Sequence, residues 1–159
     1  MLIGDELFSN WPTELDEPAD NSPEFERQSN AIRAALGLYA VHQRSKKQGV
    51  AQKFQSDPSL RMTFGRACRR IEPDTDSAKG ILRRLRVAEN APDFNGIVRS
   101  MRALIMLMRN TDIQVDYGSL ASDLYLLQFS DSRGSVFQRW GRDYYSKFPS
   151  AQSGQKADK

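Results

Sequence analysis

The 159-residue sequence predicts an all-α fold, a helical bundle made of two small packed helical lobes. Apolar residues recur at three- and four-residue spacing in six segments, caps and prolines separate those segments, and the period-2 alternation of a strand occurs nowhere. Amphipathic helices joined by short turns must cover one another's apolar stripes, and that requirement makes a bundle.

The first predicted helix is capped by Ser22, has Pro23 in its first turn and runs to about Lys47, ahead of Gly49. Phe25, Ile32, Ala35, Leu36, Tyr39 and Ala40 form its inward face. The second opens at Asp57-Pro58, turns Leu60, Phe64, Ala67, Cys68 and Ile71 inward, and ends at Pro73. A third starts near Asp76 or Ser77, presents Ile81, Leu82, Leu85 and Ala88, and stops before Pro92. Asp93 caps the fourth, which carries Phe94, Ile97, Val98, Met101, Leu104, Ile105 and Met108, the strongest amphipathic pattern in the chain. The fifth, from about Asp116, uses Leu120, Leu124 and Leu127. The sixth, from about Ser135 to Lys147, uses Val136, Trp140 and Tyr144. Residues 1–22 hold Pro12, Pro18 and scattered acids without helical periodicity and read as an acidic flexible arm. Residues 23–75 then form an N-terminal helical lobe, 76–148 a C-terminal bundle and 149–159 a polar tail, with any hinge near Pro73 to Asp76.

The net charge of +3 hides a segregation: residues 1–26 carry −8, residues 27–109 carry +11, and residues 110–159 balance. A basic middle segment attracts polyanions. Its cations lie in stripes opposite the apolar faces: Arg66, Arg69 and Arg70 on the second helix, Lys79, Arg83, Arg84 and Arg86 on the third, and Arg99, Arg102 and Arg109 on the fourth. One such stripe is an ordinary solvated face. Three together are not, because residues 60–71 and 77–88 contain no acid to interleave with the bases. Arginine outnumbers lysine here, which suits bidentate phosphate contact. The −8 and +11 segments also make the arm a candidate occupant of the basic surface when no nucleic acid is bound.

Catalytic groups are scarce. His42 is the only histidine and Cys68 the only cysteine, so no disulfide or thiolate cluster can form within the chain, and Cys68 falls on an inward face. Asp112, Asp116 and Asp123 are the carboxylates a metal nuclease would use, but Asp116 reads as a helix cap. No phosphate-binding glycine loop is present. The expectation is a cytoplasmic protein that is not an enzyme and needs no cofactor or metal. A base-reading helix that mixes Asn, Gln and Arg is missing, which disfavours the alternative of a helical DNA-binding transcriptional regulator. Tyr39, Phe64, Trp140 and Tyr144 read as core, while Phe137 and Tyr145 fall off that face and are candidates for a partner surface or a base stack.

Several stretches resemble the CasB family, the small subunit of the type I-E CRISPR Cascade complex. They are Ala34 to Gln43, Phe64-Gly65-Arg66-Ala67, Arg83-Arg84-Leu85, Val98 to Arg109, Ile113 to Leu120, Asp123-Leu124 and Val136 to Tyr145. The most specific piece is Trp140-Gly141-Arg142-Asp143-Tyr144-Tyr145, and the similarity spans roughly residues 24–148. The resemblance implies a non-catalytic antiviral subunit present as two copies beside other Cascade subunits. It would hold CRISPR guide RNA, target DNA and the displaced non-target strand, with base pairing supplying specificity. Around the Trp140 ending, Phe137, Arg139, Arg142 and Tyr145 are expected subunit contacts. Residues 1–22 depart from the family's usual opening helix.

Overall fold

The computed structural model describes residues 22–72, 74 and 78–147. All of the expected acidic arm except Ser22, the tail from 149, and the expected third-helix start at Asp76 or Ser77 lie outside the described residues. Within them the chain forms six α-helices: α1 Pro23–Gln43, α2 Phe64–Ile71, α3 Lys79–Glu89, α4 Phe94–Arg109, α5 Tyr117–Leu126 and α6 Ser130–Tyr145. A short 3-10 turn, Pro58–Leu60, precedes α2. The only β pairing among the described residues is one isolated parallel bridge between Ala51 and Val115.

Side-chain caps place most of the starts. Ser22 Oγ accepts the Phe25 N–H, Asp93 the Gly96 N–H at 2.7 Å and Asp116 the Ser119 N–H at 3.0 Å, each occupying a donor that the helix leaves without an internal partner. Three boundaries differ from the sequence expectation. Helix α1 ends at Gln43, because Arg44 leaves helical geometry and Ser45 takes a left-handed φ of 64°. The Asp57-Pro58 cap starts only the 3-10 turn. Helix α2 waits for Thr63, because the Met62 N–H is taken by Gln52 Oε1 and the Met62 carbonyl by the Asp116 N–H. Helix α6 begins at Ser130 and runs through Gly134, its first turn anchored by the Phe129 carbonyl, which accepts from Ser132 and Arg133.

Helix α1 also presents a different face from the one expected. Ala31, Ala35, Leu38 and His42 point inward, whereas Phe25, Ile32 and Leu36 are 46%, 56% and 61% exposed and Ala40 is exposed too. The reason is steric: α1 packs against both α4 and α5, and small alanines let the axes approach where bulky side chains would hold them apart.

All but Val50 and Ala78 of the buried hydrophobics among the described residues form one cluster drawing on all six helices, with Trp140 at the α2–α6 crossing. Phe64 and Phe137 tilt against Trp140 at 4.7 and 5.1 Å between ring centroids. Gly65 makes this crossing possible. A Cβ there would lie 2.3 Å from the Trp140 carbonyl oxygen and 2.9 Å from Asp143 Cβ, so any side chain forces two backbones apart.

The polar groups in the interior are matched only in part, since His42 Nε2 and the Tyr144 hydroxyl are buried without a hydrogen-bond partner among the described residues. Asp123, on α5, accepts from Trp140 Nε1 at 2.7 Å and pairs with Arg139. Burial pushes its carboxyl pKa up, against the opposing pull of Trp140 and Arg139. His42 is fully buried, its Nδ1 lying 2.9 Å from the Tyr117 hydroxyl. Burial lowers its pKa to about 4, so the ring is neutral at pH 7. Cys68 is completely buried, and burial drives its thiol pKa far up, which makes it an inert packing residue.

Candidate nucleic-acid interface

The three arginine stripes have different fates. On α2, Arg66 and Arg69 are turned onto the protein itself. One Arg66 nitrogen, Nη1, donates to the carbonyls of Pro58, Ser59 and Arg61 at 3.2, 3.0 and 2.8 Å, and Nε to Ser146 Oγ. Arg69 donates to the Glu72 carbonyl and stands 5.9 Å over the Tyr144 ring. Only Arg70 of the three is exposed.

On α3, Lys79, Arg83, Arg84 and Arg86 are all exposed. Ile81, Leu85 and Ala88 anchor the opposite side of that helix in the core. Asp93 and Phe94 start α4 directly after the Ala91-Pro92 turn, so α3 and α4 lie against each other. The groove along their seam measures about 640 Å³ and is rimmed by Arg83, Arg86 and Arg99 over Val87, Ala91 and Pro92. Arg102 is exposed one turn further along α4. None of the side chains of Lys79, Arg83, Arg84, Arg86, Arg99 and Arg102 has a hydrogen bond or ion pair with a described residue. Arg109, at the end of α4, is half-buried, and its carbonyl accepts from Lys46 Nζ at 2.8 Å.

Unbalanced cations of like sign on one face repel each other and gain most from a polyanion laid across them. A groove with an arginine rim suits a sugar-phosphate backbone.

The expected contact surface around α6 needs correction. Phe137 is buried, 8% exposed, with its ring edge on Trp140. Arg139 is held by Asp123. Arg142 and Tyr145 do face outward, Tyr145 72% exposed. The three carboxylates of the nuclease alternative stay apart in role: Asp112 pairs with Lys46, Asp116 caps α5 and Asp123 holds Trp140 and Arg139. No group of His, Cys, Asp or Glu among the described residues could hold a metal ion, and none of their helices is long and apolar enough to cross a membrane. The sequence reading passed over Phe54, 84% exposed on the loop between α1 and α2 with the Arg61 guanidinium 5.7 Å from its ring. Its only signal was an aromatic between Lys53 and Arg61 in a stretch without apolar periodicity.

Comparison with known proteins adds two findings. The family model for the CRISPR-associated protein Cse2 matches residues 3–145. The crystal structure of CasB from Thermobifida fusca is similar, with a TM-score of 0.70 and 26% sequence identity over 84% of this chain and 72% of that one. No curated protein matches.

Proposed function

This chain belongs to the CRISPR-associated Cse2 family, also called CasB, and from that premise we propose that its α3–α4 face holds nucleic-acid backbone inside the Cascade complex. Membership makes it a Cascade subunit in CRISPR defence. The finer reading is that it stabilises guide RNA, target DNA and the displaced strand without catalysis, beside a second copy of itself. One observation carries this reading: six exposed cations on two adjacent helices lack a protein partner among the described residues, and three of them rim one groove.

Arginine suits this role because its planar donor fork matches phosphate oxygens and stays charged at any relevant pH. Contacts to backbone leave sequence discrimination to guide pairing. Co-purification tests the proposal. With the face intact, the chain is retained with the other Cascade subunits, guide RNA and target duplex. With Arg83, Arg86 and Arg102 reversed to Glu, it should still join the protein subunits while the complex loses its hold on the displaced strand. Equal protection of that strand by both forms would refute the assignment. A preferred duplex emerging from selection would favour a sequence-specific regulator instead. If the acidic residues 1–20 compete for the same face, their deletion tightens single-strand binding at fixed salt, and unchanged or weaker affinity removes that idea.

A further inference from the structure

We propose that Phe54 stacks on a base of a bound single strand, making the α1–α2 loop a second and chemically different contact from the α3–α4 face. This inference rests on the reading that the chain holds single-stranded nucleic acid.

A lone exposed hydrophobic residue is ordinary on a protein surface. Three features set Phe54 apart. The first is rigidity. The loop that carries it is closed at its neck by one side chain: Gln52 Nε2 donates to the Leu60 carbonyl at 2.9 Å, and Gln52 Oε1 accepts the Met62 N–H at 2.6 Å. The Gln52 N–H is itself tied to the Val115 carbonyl, Arg61 Nε donates across the loop to the Gln55 carbonyl at 3.0 Å, and Arg66 grips three carbonyls at its far end. An aromatic on a loop fastened in this way is displayed in one place instead of being free to collapse onto the core.

The second feature is exposure. Phe54 is 84% exposed, the highest value among the exposed large hydrophobics of the described residues. The pinned loop gives the ring no apolar floor.

The third is charge. The segment from Arg44 to Arg61 contains Arg44, Lys46, Lys47, Lys53 and Arg61 against a single acid, Asp57. Asp57 is exposed and caps the Pro58–Leu60 turn, accepting the Ser59 N–H at 2.8 Å. The Arg61 guanidinium, fixed by its bond to Gln55, stands 5.7 Å from the Phe54 ring centroid, within cation–π reach. A base laid on Phe54 would thus bring its flanking phosphates beside Lys53 and Arg61. Aromatic stacking beside cations is how sequence-tolerant single-strand binders hold bases, since every base offers a π-face. A partner protein with an apolar patch would use the ring differently, and the substitutions below separate the two.

The test is fluorescence anisotropy of the full chain with two labelled strands of equal length and charge, an oligothymidine and an abasic sugar-phosphate strand. Phe54→Ala should weaken oligothymidine binding about 5- to 100-fold and leave the salt slope and the abasic strand unaffected. Phe54→Trp should restore oligothymidine binding. Phe54→Leu, apolar but without a π-face, should behave like Ala. Oligothymidine affinity unchanged in Phe54→Ala, full retention by Phe54→Leu, or an equal loss on the abasic strand would each overturn the stacking role. Because Phe54 makes almost no buried contact, unchanged melting temperatures are expected for all three variants. Failure of the underlying reading looks different: a wild-type chain that binds neither strand removes both ideas. Loss of binding in the Arg83, Arg86, Arg102 reversal, with Phe54→Ala indistinguishable from wild type, removes only this one.

Discussion

Helix α2 and the α3–α4 pair carry arginines at the same helical spacing in sequence, yet the fold puts them to opposite uses. On α2, Arg66 ties down the loop before its own helix and Arg69 closes the C-terminal end while covering Tyr144. On α3 and α4, Arg83, Arg86, Arg99 and Arg102 stand in solvent without a partner among the described residues. The difference follows from what each helix packs against. Helix α2 is short, wedged against α6 through Gly65, and flanked by irregular backbone whose carbonyls need donors. Helix α3 is seated by one apolar stripe, Ile81, Leu85 and Ala88, and its far side meets nothing among the described residues. A basic stripe is therefore a poor guide to binding until the carbonyls around it are accounted for.

The sharpest way to disturb the α2 side is Gly65→Ala. A methyl group driven against the Trp140 carbonyl and Asp143 should cost about 3 kcal/mol, the upper end of the usual overpacking range, read as a lower urea midpoint. A midpoint unchanged within error would mean that the crossing is looser than drawn.

Next is the buried His42 beneath α5. Its folded pKa, about 4, lies below the ordinary 6.5 because burial disfavours the imidazolium. The unfolded chain therefore takes up the proton first. Stability is full above pH 6.5 and falls as pH drops from 6.5 towards 4, by up to about 3 kcal/mol. Asp123, with its raised pKa, acts with the opposite sign, losing stability as pH rises past the ordinary carboxylate range. Comparison with His42→Gln cancels that contribution: the wild-type advantage should shrink between pH 6.5 and pH 4.5, and a constant gap would contradict the assignment.

Arg66→Ala should lower stability by about 1–2 kcal/mol through the loss of its carbonyl contacts. Smallest of all, Arg83→Ala or Arg102→Ala should leave stability within about 0.5 kcal/mol, measured by thermal melting. Equal effects for Arg66 and Arg83 would erase the distinction between the two regions.

What could be read from the sequence follows the same divide. Helices α4 and α5 were legible because Asp93 and Asp116 cap them and their apolar residues keep strict spacing. The exposure of Arg83, Arg86, Arg99 and Arg102 was legible for the same reason, as the reverse of a strong inward stripe. The inward face of α1 was not, since alanine carries little hydrophobic signal and the choice of Ala31 and Ala35 over Ile32 and Leu36 is made by α4 and α5 pressing close. The start of α2 was hidden because Gln52 and Asp116, distant in sequence, claim the Met62 backbone. Phe137 looked external by helical spacing from Trp140, yet the two rings meet edge to face. Only tertiary contacts decide such positions.

The central claim, that the α3–α4 arginines hold nucleic-acid backbone while those of α2 hold the protein, is tested most directly by single-strand affinity across salt concentrations. Wild type and Arg66→Ala, the latter at a temperature where it is folded, should bind with the same steep slope, about −0.7 per phosphate contacted. The Arg83, Arg86 and Arg102 reversal to Glu should lose that binding with its helical circular dichroism intact. Preserved binding and an unchanged slope in the triple reversal would contradict the account.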